Sequence, residues 1–142
     1  MFFIIVIEEI KIDIIKNKIK LDLKNSEEKK ILENLLELLD TKKAELITAI
    51  DISEVSSIAK YIIIITANST VHSKTLAKYV INYFIDNKNK NLLLNKNVDL
   101  NNPWILIDAT DYIINIFLSE TRNFYNLEKI FFKGNIIYNS ES

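Results

Sequence analysis

Tyr61-Ile62-Ile63-Ile64-Ile65 is a continuous apolar run, mostly β-branched, with no polar residue to mark a wet side. Such a run predicts a strand covered on both faces, as at the centre of an α/β sheet. The chain around it supplies the covering layers. Ser69 is placed to cap a helix over about 70–87, with Leu76, Val80 and Phe84 as its apolar line. Before the run, Leu46–Ile52 predicts a second strand, followed by a turn-like stretch at Ser53–Ser57. Before that strand, Ser26 precedes Glu27 and Glu28, acids favoured in the first turn of a helix. Ile31, Leu32, Leu35, Leu36 and Leu39 then recur at helical spacing, which predicts a helix over 27–43.

Further out, Leu92-Leu93-Leu94 reads as a short strand between polar loops. Trp104–Asp108 and Tyr112–Phe117 read as neighbouring strands, and Ala109–Asp111 between them as the turn of a tight antiparallel hairpin. Ser119 is placed to cap a last helix that carries Arg122, and Asn139–Ser142 reads as a frayed polar end. At the other end, Ile10–Ile14 and Ile19–Leu23 alternate apolar and polar residues, with Lys16-Asn17-Lys18 as a turn. The expected architecture is α/β: a single domain with a mixed β-sheet of about five strands and helices on its faces. Residues 1–25 form an N-terminal extension, 26–135 the domain and 136–142 a tail.

Composition closes off much chemistry. The 142 residues are 49% apolar, enough to bury a core, and the net charge is −1. Of the 18 cations only Arg122 is arginine, so bidentate reading of guanine or phosphate has little to work with. There is no cysteine, one histidine (His72) and one glycine (Gly134). Thiolate metal sites, histidine-rich metal sites and glycine-rich phosphate loops are therefore excluded. Met1–Ile7 is apolar but far shorter than the roughly 20 residues of a membrane span, and it lacks the positive start of a signal peptide. The expected location is the cytoplasm.

Two residue groups could carry chemistry. Asp108 and Asp111 flank the hairpin turn, close enough to share a cation or a proton. Aspartate is equally at home in turns because its side chain bonds nearby backbone N–H groups. Ser69 and His72 share a helical turn, yet no third group is present to orient the base. The reading is a helix cap and a first-turn residue, with no catalytic, cofactor-binding or metal-binding residue. Tyr61, Trp104, Phe117, Phe124 and Tyr125 read mainly as core, while Trp104 opens a strand after a polar loop and is suited to an interface.

Two blocks of sequence resemble the ribosomal silencing factor family, also called Iojap-like. The first runs Lys42-Lys43-Ala44-Glu45-Leu46, Asp51-Ile52, Ser56-Ser57-Ile58-Ala59-Lys60-Tyr61, then Thr66-Ala67-Asn68-Ser69 and His72. It is similar to the family pattern Lys-Lys-Ala, Leu-Asp, Ser-Ser-Ile-Ala-Asp-Tyr-Phe, Thr-Gly-x-Ser-x-x-His. The second runs Trp104-Ile105-Leu106-Ile107-Asp108-Ala109-Thr110-Asp111, then Arg122-Asn123-Phe124-Tyr125-Asn126-Leu127-Glu128. It is similar to Trp-x-x-x-Asp-x-Gly-Asp followed by Arg-x-Phe-Tyr-x-Leu-Glu. Several positions depart from the pattern: Lys60 stands for Asp, Ala67 and Thr110 for Gly, Asn115 for His and Phe131 for Trp.

The resemblance implies a fold shaped like the nucleotidyltransferases and a function in binding. Family members dock on the large ribosomal subunit at large-subunit protein fourteen. They occupy an intersubunit bridge, block subunit joining and repress translation when nutrients run short. They often pair as homodimers. The implied contact or supporting residues here are Trp104, Leu106, Asp108, Ile113 and Tyr61, on a surface beside the hairpin. No DNA, membrane or cofactor is implied. The alternative is a degenerate nucleotidyltransferase-like domain that binds nucleotide or RNA without catalysis. It lacks the paired Asp that such enzymes place soon after Gly-Ser, because Thr70–Tyr79 contains no carboxylate.

Overall fold

The computed structural model describes Glu9 and residues 26–86, 92–95 and 97–141. The alternating segments at 10–14 and 19–23 and the polar loop at 87–91 lie outside the described residues. Helix α1 spans Ser26–Thr41, β1 Glu45–Asp51, β2 Tyr61–Ala67, α2 Thr70–Asp86, β3 Trp104–Ala109 and β4 Tyr112–Leu118. Short helices α3 (Ser119–Tyr125) and α4 (Leu127–Ile130) follow, and β5 (Asn135–Asn139) closes the chain. The five strands form one mixed sheet in the order β3-β4-β2-β1-β5. Strand β2 runs parallel to β4, and the other three pairings are antiparallel.

The isoleucine run is the central strand, and all seven residues of β2 are buried. Tyr61, Ile63 and Ile65 face a layer made by α1 and α2, among Leu32, Leu36 and Phe84. Ile62 and Ile64 face the other way, with Ile50, Ile113, Phe117 and Leu127. Each fully buried leucine or isoleucine contributes about 1.5–3 kcal/mol relative to exposure. Helix α1 stops two residues earlier than its apolar spacing suggests, because Lys43 takes a left-handed backbone (φ 64°). Ala44 N–H then bonds the Leu39 carbonyl and Lys43 N–H the Asp40 carbonyl, a Schellman closure built on lysine.

The C-terminal end differs from the expectation of a tail at 136–142. Ile136-Ile137-Tyr138 belongs to β5, which pairs with β1, and Ile137 and Tyr138 are buried. Beyond the strand, Ser140 N–H bonds the Ile47 carbonyl, and its hydroxyl accepts from Ile47 N–H. Three apolar residues beside a sheet edge outweigh the polar ones that follow. Gly134 permits the approach, since a Cβ there would sit 2.6 Å from Ile50 Cγ2 and 3.0 Å from the Asp51 carbonyl oxygen.

Leu92–Leu94 is not a strand. Leu94 N–H bonds the Asp108 carbonyl, and the Asn95 amide accepts from Asp108 N–H and donates to the Leu106 carbonyl. This short segment therefore borders the outer edge of β3. The last helix is divided by Asn126 at φ 47°, and Leu118 holds the N-cap position of α3, with no side-chain bond from Ser119. Among the described residues no helix is long and apolar enough to cross a membrane.

Candidate docking face on the hairpin

Strand β3 lies at the sheet edge, and its burial alternates. Ile105, Ile107 and Ala109 enter the core, while Trp104, Leu106 and Asp108 share the opposite, partly open face. Antiparallel register puts Phe117, Asn115 and Ile113 directly across from them. Four of the five residues implied in the sequence thus come together: Trp104, Leu106, Asp108 and Ile113. Ile113 is nearly buried and forms the floor, and Leu106 is 40% exposed.

Trp104 is fixed on three sides. Its ring lies 5.1 Å from Phe117 and 4.7 Å from Tyr125, centroid to centroid. Its indole N–H donates to Asn115 Oδ1 at 2.9 Å, and Asn115 Nδ2 donates to the Ile63 carbonyl at 3.4 Å. The asparagine that replaces the family histidine is therefore the hydrogen-bond seat of the tryptophan. Tyr125 passes the aromatic row on to Phe124, edge to face at 5.1 Å. Phe124 is 80% exposed, and with Tyr125, Pro103, Asn102, Glu120 and Thr121 it lines a surface cavity of about 380 Å³.

Tyr61 is a correction. It lies on the other face of the sheet, beneath α1, and is 3% exposed. Its ring stacks on Tyr112 at 5.4 Å, and its hydroxyl donates to a Glu28 carboxylate oxygen at 3.1 Å. Burial, reinforced by that carboxylate, raises the phenol well above its ordinary pKa. Tyr61 can support the hairpin from behind; it cannot line its open face. Phe124 and Tyr125 are the reverse case, read mainly as core and found outside. A helical step of 100° per residue gives the signal: with Arg122 turned inward in a seven-residue helix, Phe124 lies about 200° away.

The other candidates are structural. The Asp111 carbonyl accepts both Lys60 N–H and Tyr61 N–H, and its carboxylate lies 3.9 Å from Lys60 Nζ. Asp108 stands on the open face of β3. Among the described residues no group of three or more His, Asp or Glu could hold a metal ion. Ser69 Oγ accepts from His72 backbone N–H, the cap read from sequence. His72 Nδ1 accepts from Asn68 N–H, so Nε2 carries the proton and donates to the Lys42 carbonyl at 2.9 Å. Both ring nitrogens are thereby committed. Arg122, nearly buried, bonds Glu128 through Nε and Nη2, and also the Leu46 carbonyl and the Thr48 and Thr66 hydroxyls. Thr110, where the family pattern has Gly, adopts the left-handed backbone that explains a glycine there (φ 65°).

These features define a class: a single-domain α/β protein with a five-stranded mixed sheet, two long helices on one face and an aromatic hairpin partly open on the other. Comparison with known proteins gives the family. Residues 24–141 match the family model "Ribosomal silencing factor during starvation". The chain is 30% identical over 105 residues to the ribosomal silencing factor of Bacillus subtilis, covering 72% of this chain and 86% of that protein. It is 25% identical over 107 residues to the one from Halalkalibacterium halodurans, covering 70% and 84%. The chain belongs to the ribosomal silencing factor family, RsfS. Solved structures share the fold: a Chromobacterium violaceum protein (TM-score 0.64, 23% identity, 72% of this chain and 83% of that one) and a Bacillus halodurans protein (0.61, 22%, 77% and 97%).

Proposed function

We propose that this chain binds the large ribosomal subunit at large-subunit protein fourteen through its hairpin face. Occupying that place blocks an intersubunit bridge and subunit joining, and so represses translation under nutrient limitation. The carrying observation is the open face of Trp104, Leu106 and Asp108 in a member of this family. Action by exclusion needs no chemistry. It needs a specific interface, typically about 1,200–2,000 Å² in total, that competes with the small subunit by mass action. An indole already oriented by Asn115, Phe117 and Tyr125 loses little freedom on docking, which favours affinity. The site of action is the cytoplasm, where subunits join.

The test is sedimentation with isolated subunits. The protein is expected to travel with large subunits and to lower the joined-ribosome peak. Unchanged joining at saturating protein rejects the proposal. Trp104→Ala is expected to weaken large-subunit binding by at least ~2 kcal/mol, provided its circular dichroism stays native.

A further inference from the structure

The helical side of the molecule carries a second surface, remote in character from the hairpin. Helix α2 contains no Asp or Glu between Thr70 and Ile85, and its lysines, Lys74 and Lys78, are one turn apart. Lys42 joins them from the turn after α1 and is held there twice. Its carbonyl accepts the His72 Nε2 proton, and its ammonium sits 4.2 Å above the Tyr79 ring. Both anchors, His72 and Tyr79, belong to α2, so the third cation lies against that helix. Asp40 and Glu45, the acids nearest in sequence to Lys42, form no ion pair with it. Among the described residues, Lys42, Lys74 and Lys78 form no ion pair. The other exposed positions of α2 from Val71 to Ile85 are uncharged: Thr75 and Asn82 beside Val71, Tyr79 and Ile85. The hairpin side instead carries Asp108 on its open face and Glu120 beside Phe124 and Tyr125. The net charge of −1 thus conceals a basic face.

We infer that the Lys42–Lys74–Lys78 face binds the phosphate backbone of RNA. Lysine acts on phosphate as a point charge without the planar fork of arginine, so the contact follows the backbone and ignores base identity. Successive lysines on a helix lie about 6 Å apart at Cβ, comparable to the spacing of neighbouring phosphates. Cation–π contact with Tyr79 and the bond to His72 reduce the freedom that Lys42 loses on binding. The choice of RNA over other polyanions rests on the ribosomal reading; the basic face does not.

The experiment is fluorescence anisotropy of a labelled RNA duplex of about 16 base pairs, titrated with the full chain. Three phosphate contacts give a log–log salt slope of about −2 to −3, a loss of about 15- to 60-fold between ~50 and ~200 mM salt. Lys74→Glu with Lys78→Glu is expected to lower affinity at least ~10-fold and flatten the slope by about two contacts. Lys129→Glu with Lys133→Glu, on the α4 side, is expected to leave both unchanged. Trp104→Ala is also expected to bind the duplex normally, which separates this inference from hairpin docking. No binding at low salt overturns it, as does an equal loss in the two lysine pairs. Stronger association with phosphatidylserine–phosphatidylcholine vesicles than with the duplex also overturns it.

Discussion

The two faces of the sheet are closed by different means. One is covered by two long helices, and its contacts are apolar almost throughout. The other has only the short α3 and α4, tied down by Arg122 through Glu128, two threonine hydroxyls and a carbonyl. Apolar packing tolerates small shifts and needs area. A polar clasp needs little area but every partner in place. The clasped face therefore ends before the sheet does, leaving the outward side of β3 partly open.

Substitutions on the two sides separate these modes of closure. Leu35→Ala empties a fully buried site between α1 and the sheet and is expected to cost about 2–5 kcal/mol in urea unfolding, the largest of the set. A value under about 1 kcal/mol would mean that α1 packs less firmly than described. Arg122→Met keeps volume but leaves Thr48, Thr66 and the Leu46 carbonyl without their donor. A loss of about 2–3 kcal/mol is expected, less than the raw ion pair suggests because Glu128 is partly hydrated. Leu106→Asp, on the uncovered side, is expected to change stability by no more than about 0.5 kcal/mol while abolishing co-sedimentation with large subunits. Loss of both stability and binding would place Leu106 within the core instead.

Much of this was legible in the sequence, and the exceptions have physical causes. The isoleucine run, both long helices, the hairpin and the Ser69 cap follow from period and capping chemistry. The face on which Tyr61 lies did not follow, because a strand with no polar residue carries no mark of parity; register against β1 and β4 decides it. Strand β5 was obscured because its partner is some 90 residues away and only three apolar residues signal it. That Trp104, Leu106 and Asp108 share one face of β3 was legible from the alternation of the strand, but which face stays open was not, because the cover given by the short α3 and α4 decides it. Phe124 was hidden by the tendency of aromatics to be core, which fails in a helix too short to bury two sides.

Asn95 has a consequence for how the protein behaves in a crowd. Its amide stands in for a peptide unit, answering Asp108 N–H and the Leu106 carbonyl where another strand would otherwise add. Molecules at high concentration cannot stitch sheet to sheet along that stretch, a common route into fibres. Any contact made along that stretch is left to side chains, so the same small cap guards against strand-by-strand self-assembly.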